Sequence, residues 1–122
     1  MFETYRHLKH KYPKISLYQE RRLIKQAQRR SKKKRNEFVE RHIWFVIFRI
    51  NKTVFSPYRA RFGEEILSQA IFILYAKIKT YNLRYKDKKG NSKPVRFSSY
   101  IWKRIDGFII DYLKNELARE AG

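Results

Sequence analysis

Cysteine is absent from this chain of 122 residues. That excludes a disulfide framework, thiol chemistry and the common zinc-finger ligand sets, and it suits a reducing cytoplasm. Proline and glycine are scarce, at three and four residues, so few positions are set to break a helix. Acidic residues are outnumbered: eleven Asp and Glu stand against thirty Lys and Arg, for a formal net charge of +19. No apolar run approaches the roughly 20 residues that a membrane-spanning helix needs. The opening MFETYRHLKHKY also lacks the apolar segment of a signal peptide. Neither membrane insertion nor export is expected. There is no P-loop, Ser-His-Asp or Gly-rich dinucleotide pattern, so no enzyme and no cofactor is expected. His7, His10 and His42 do not share ligand spacing, so no metal site is expected either.

What the chain does contain is charge and aromatic rings together. Self-repulsion at +19 is costly in a compact state, and a polyanionic partner relieves it. Hydrophobic residues make up 43% of the chain, with nine Phe, nine Tyr and two Trp. That is too rich for a disordered basic tail and bounds the protein to one folded domain with a modest core.

Apolar spacing predicts an all-α fold, a compact bundle of about four helices over residues 15–122, behind a polar, unanchored lead of residues 1–14. Ser16 is placed to cap a first helix bearing Leu17, Leu23, Ile24 and Ala27. Residues 29–35 (RRSKKKR) put six cations in seven positions, the composition of a solvated linker or helix face, with direct nucleic-acid contact as the functional alternative. A second, central helix is expected over 36–54. Its stripe is Phe38, Val39, Ile43, Val46, Ile47 and Ile50, and Pro57 interrupts it. Gly63-Glu64-Glu65 opens a third helix whose stripe is Leu67, Ile71, Leu74, Ile78 and Tyr81. After a basic loop over 84–96, a fourth helix begins with a Ser98 cap and a Phe97–Trp102 staple. Phe97, Ile101, Ile105, Phe108, Ile109, Tyr112 and Leu113 line its buried arc, and Tyr100, Lys103, Arg104 and Gly107 fall on the other side.

That fourth segment, RFSSYIWKRIDGFIIDYL (96–113), is the most informative. Rings beside cations at a helix start suit unpaired bases held next to a phosphate backbone. The DNA-binding candidates are Arg96, Phe97, Ser98, Ser99, Tyr100, Trp102, Lys103 and Arg104. Five of them have a bland reading: Phe97 as staple, Trp102 as core at the edge of the arc, Tyr100 packed on the bundle, Lys103 and Arg104 as ordinary surface cations.

Taken in order, four segments resemble the conserved core of a bacterial sigma factor of the housekeeping type. ISLYQERRLIKQA (15–27) is similar to the region 1.2 helix, FVERHIWFVIFRI (38–50) to region 2.1 with His42 at the usual Asn, EEILSQAIFILYAKIKTYN (64–82) to region 2.2, and 96–113 to regions 2.3 and 2.4, where Phe-Ser-Thr-Tyr is the best-known string. The resemblance covers residues 15–117. It implies a bundle that docks on the clamp coiled coil of the RNA polymerase core and captures the melted −10 strand of promoter DNA. The implied polymerase-binding residues are Glu65, Ser68, Gln69, Ile71, Phe72 and Tyr75, of which Glu65 keeps the family's character. The family's Trp-Trp pair is Lys103-Arg104 here, with Trp102 one position early. Gly107 and Ile110 replace the Gln and Thr that read the duplex edge, so that reading is expected to be relaxed or altered.

Nothing after Leu117 resembles region 4, so a second protein supplying that function is an expected partner. The implied location is cytoplasmic and nucleoid-associated. Two alternatives remain open at this level: a basic helical nucleic-acid-binding protein without a polymerase, and a sigma mimic or anti-sigma that blocks initiation.

Overall fold

The computed structural model describes residues 2–29, 31–83, 88–90 and 95–121. Parts of the expected basic loop, 84–87 and 91–94, lie outside the described residues, as does Arg30. The protein is all-α: α1 (Leu17–Gln28), α2 (Lys32–Thr53), α3 (Ser56–Thr80) and α4 (Phe97–Ala121), preceded by a short 3-10 helix at Glu3–Leu8.

Local chemistry sets where each helix begins. Ser16 caps α1 in a reciprocal box: its hydroxyl accepts from the Gln19 amide at 3.1 Å, and the Gln19 side chain accepts from the Ser16 amide at 3.1 Å. Of the cationic run, Lys32–Arg35 form the first turn of α2. Ser31 caps α2 by accepting from the Lys34 amide at 3.2 Å, so α2 starts at Lys32, a turn before the predicted Asn36. Pro57 does break α2 from α3, but the chain re-enters a helix at once. Pro suits a first helical turn, where its missing N–H is no loss. The third helix therefore starts at Ser56, and Gly63 is a buried residue inside it. Flanking Glu64 and Glu65 looked like a helix start, yet the apolar spacing continues through them.

Helix α2 touches every other element. Its predicted stripe, Phe38, Val39, Ile43, Val46, Ile47 and Ile50, is wholly buried, against Leu67, Leu74 and Ile78 of α3 and Ile101, Ile105 and Ile109 of α4. Phe48, on the same helix, is exposed.

The lead is not unanchored. Phe2 and Leu8 are buried in the core, and the Trp44 indole N–H donates to the Tyr5 carbonyl at 2.9 Å. Further on, Arg41 donates to the Pro13 carbonyl at 2.9 Å, and the Tyr12 hydroxyl donates to Glu40 at 2.6 Å. Burial, with that bond and the charge of Glu40, pushes the Tyr12 phenol up to about 12. The lead was misread because its two buried apolar residues are six apart, which is two turns of a 3-10 helix but matches no α-helical period.

Candidate nucleic-acid interface

The start of α4 is held by a residue from α1. Glu20 is buried, and its Oε1 accepts from the Phe97 amide at 2.6 Å while Oε2 lies 3.4 Å from Arg96. A carboxylate at a helix N-terminus satisfies an orphan N–H and matches the positive end of the dipole. Ser98 is therefore not the cap; it sits inside the first turn. Arg96 also donates to the Ile15 carbonyl at 2.7 Å. Its guanidinium is committed to fastening α4 onto α1.

Phe97 is 0% exposed, in contact with Phe38, His42, Tyr81 and Tyr100 at ring separations of 5.0, 4.9, 6.1 and 6.2 Å. Its expected role as a base-stacking ring is corrected: no face of it is open to a ligand, because the hydrophobic gain of burying phenylalanine outweighs display at this position. His42 shares that pocket. It donates through Nδ1 to the Phe38 carbonyl at 2.9 Å, and burial lowers its pKa below the ordinary 6.5.

The remaining candidates fall on different sides of α4, since residues two apart on a helix point roughly oppositely. Tyr100 faces α3. It is half-buried, its hydroxyl pairs with Thr80 at 3.0 Å, and its ring packs edge-on to Tyr81 at 5.2 Å under the Lys77 ammonium at 5.4 Å. Trp102 faces α2 and is 38% exposed, so the core reading of this residue is also corrected. Lys103 and Arg104 are exposed.

Trp102 completes a site that α2 half builds. The Arg49 guanidinium lies 5.4 Å from the Trp102 ring centroid and the Lys103 ammonium 5.6 Å. Arg49 is fixed by a two-pronged ion pair to Asp106, with Nε donating to Oδ1 at 2.9 Å. That hydrogen bond pushes the Arg49 pKa up from its ordinary value and orients a planar cation beside a ring. Phe45, Arg49, Ser98, Ser99 and Trp102 line an open pocket of about 270 Å³. Phe45 and Ser98 also line the next one, of about 360 Å³, whose charged lining is Lys14, Arg41 and Arg96 with the acidic Glu20. The result is a groove with rings and hydroxyls in it; Arg49 and Arg96 are each paired with an acid, which leaves Lys14 and Arg41 to attract a phosphate.

Arg49 and Phe45 escaped the sequence reading. The available signal was a cation inside an apolar run (WFVIFRI) and an acid inside another (IDGFII), a pattern that a mostly buried ion pair explains.

The six residues assigned to polymerase binding divide in a similar way. Glu65, Ser68, Gln69 and Phe72 follow the i, i+3, i+4, i+7 spacing of one helix face and are all exposed, Phe72 at 74%. Glu65 accepts from the Gln69 amide group at 2.9 Å. Ile71 and Tyr75 are half-buried, and the Tyr75 hydroxyl is taken up by Asn36 at 2.7 Å. Residues 62–76 hold no Lys or Arg, the longest such stretch in the chain. The outer face of α3 is thus acidic to neutral, with one large ring standing out of it.

Among the described residues no three His, Cys, Asp or Glu are grouped to hold a metal ion, and no helix is long and apolar enough to cross a membrane. Compared with models of known families, with curated proteins and with solved structures, the chain matches none.

Proposed function

We propose that this chain is a sigma-like transcription initiation factor that holds an unpaired promoter strand in the α2–α4 groove and docks on the RNA polymerase core through the outer face of α3. The observation that carries this reading is Trp102, 38% exposed, with Arg49 and Lys103 at 5.4 and 5.6 Å from its ring centroid; it lines one open pocket with Ser98 and Ser99. Stacking of one base is worth about 1–3 kcal/mol, comparable to the few kcal/mol that extruding a base costs.

Two surfaces of different chemistry support a bridging role. The groove is basic and aromatic, suited to a polyanion. The α3 face lacks cations, so it does not compete for the same ligand, and an exposed Phe72 ringed by Glu65, Ser68 and Gln69 has the composition of a protein-binding anchor. The order of the four segments along the chain agrees with sigma regions 1.2 to 2.4. On this reading the protein acts in the cytoplasm at the nucleoid, with a second protein supplying a region 4-like function.

Run-off transcription with core polymerase, with and without that second protein, tests the proposal. New start sites that depend on this chain support it. Depressed transcripts without new starts point to a mimic or anti-sigma. Failure to co-purify with polymerase subunits while retaining bulk nucleic acid points to a binding protein of another kind.

A further inference from the structure

The cations at the corner between α1 and α2 take no part in the Trp102 groove, in the α3 face or in the core. Lys25, Arg29, Lys32 and Lys33 are exposed, and none of them forms an ion pair among the described residues. Lys34 reaches Glu37 only at 3.9 Å. The first turn of α2 holds no acid. Its lysines therefore stand at the positive end of the helix dipole, where cations cost stability. Residues 21–36 contain no Asp or Glu to offset them.

Two helices concentrate this charge. Because α1 ends at Gln28 and α2 begins at Lys32, Lys25 and Arg29 lead directly into Lys32 and Lys33. Arg22 and Lys34 line one pocket of about 370 Å³ with Gln19 and Gln26, which brings cations of both helices to one surface.

The rest of the corner selects the ligand. Every exposed residue described between 22 and 36 is Lys, Arg or Gln. A protein interface needs an apolar centre, and a stacked base needs a ring. A row of phosphates needs only cations.

We infer that the α1–α2 corner holds the phosphate backbone of a nucleic acid through Lys25, Arg29, Lys32 and Lys33, without reading its bases. Arg29 lies about 13 Å along α1 from Glu20, the residue that caps α4, at 1.5 Å per residue. The contact is separate from the Trp102 groove, and only a long ligand reaches both. It depends neither on the groove nor on a polymerase.

The test measures affinity against salt concentration for strands of about 6 and about 30 nucleotides. It compares wild type with a corner variant (Lys25→Gln, Arg29→Gln, Lys32→Gln, Lys33→Gln) and a control of equal charge (Lys52→Gln, Lys79→Gln, Lys88→Gln, Lys114→Gln), all at exposed positions. For the long strand, the slope of log K on log salt is expected to weaken by about 3 in the corner variant, at roughly 0.7 per phosphate, and by less than about 1 in the control. Short-strand affinity should be the same in both variants. The Tm of the corner variant should hold or rise, since cations leave the wrong end of α2. Equal slopes for the two variants overturn the inference, because the charge then acts as a diffuse field. A corner variant that keeps the wild-type slope but loses binding to vesicles of anionic phospholipid also overturns it, and assigns the corner to a membrane surface. Trp102→Ala tests the groove separately: its effect is read on the short strand, which does not reach the corner.

Discussion

The carboxylate of Glu20 and the amide of Phe97, 77 positions apart in the chain, meet at 2.6 Å. This one bond ties the helix resembling region 1.2 to the helix that carries the candidate site. Replacing Glu20 by Ala leaves the first N–H of α4 buried without a partner and frees Arg96. A loss of about 1–3 kcal/mol in unfolding free energy is expected from denaturant titration. Glu20→Gln keeps an acceptor and should lose less. Equal losses for the two variants would show that the carboxylate is not capping the helix.

Phe97 is a core residue, so its removal should be read in stability. Phe97→Ala is expected to cost about 3–5 kcal/mol, the usual range for deleting a buried ring. A fully stable Phe97→Ala protein that fails only in strand binding would restore the stacking role and contradict the packing described above.

His42 makes stability depend on pH. Burial lowers its pKa below 6.5; Arg41 adds to this, while the bond to Phe38 and the charge of Glu20 oppose it. Below pH 6.5 the unfolded chain therefore binds a proton that the folded one resists, and stability falls as pH drops from about 7 toward 5. Above pH 7 the residue is neutral in both states and contributes no slope. His42→Gln should flatten this part of the stability profile relative to wild type. Identical slopes would show that His42 is not the titrating group.

Phe72 serves as the counterpart on α3. Because the side chain is 74% exposed, Phe72→Ala should change folding stability by no more than about 0.5 kcal/mol. Polymerase affinity should nonetheless fall by roughly 10-fold or more, as for an aromatic anchor. A pull-down with core polymerase checks this, and undiminished binding would remove α3 from the interface.

The fold was legible in the sequence wherever apolar periodicity was long. The α2 stripe and the arc Phe97, Ile101, Ile105 and Ile109 are buried as the spacing predicts. Termini were harder, because not every helix start here is marked by a local cap. Glu20 caps α4 from another helix, and α3 starts at Ser56, seven residues before the Gly-Glu-Glu signal. The site was half legible. Spacing within α4 marks which residues leave the core, but it cannot show that α2 approaches with Arg49, nor that Arg96 is occupied by Glu20. Tyr100 and Trp102 are two residues apart, which already implied opposite sides of the helix.

The most direct test of the central claim is the affinity of the folded protein for an unpaired oligonucleotide, compared between wild type and Trp102→Ala, with polymerase binding measured on the same preparations. A loss of about 1–3 kcal/mol in strand binding, roughly 5- to 150-fold, with polymerase binding intact is the predicted result. Strand affinity that is untouched by the substitution, or lost together with polymerase binding, would contradict it.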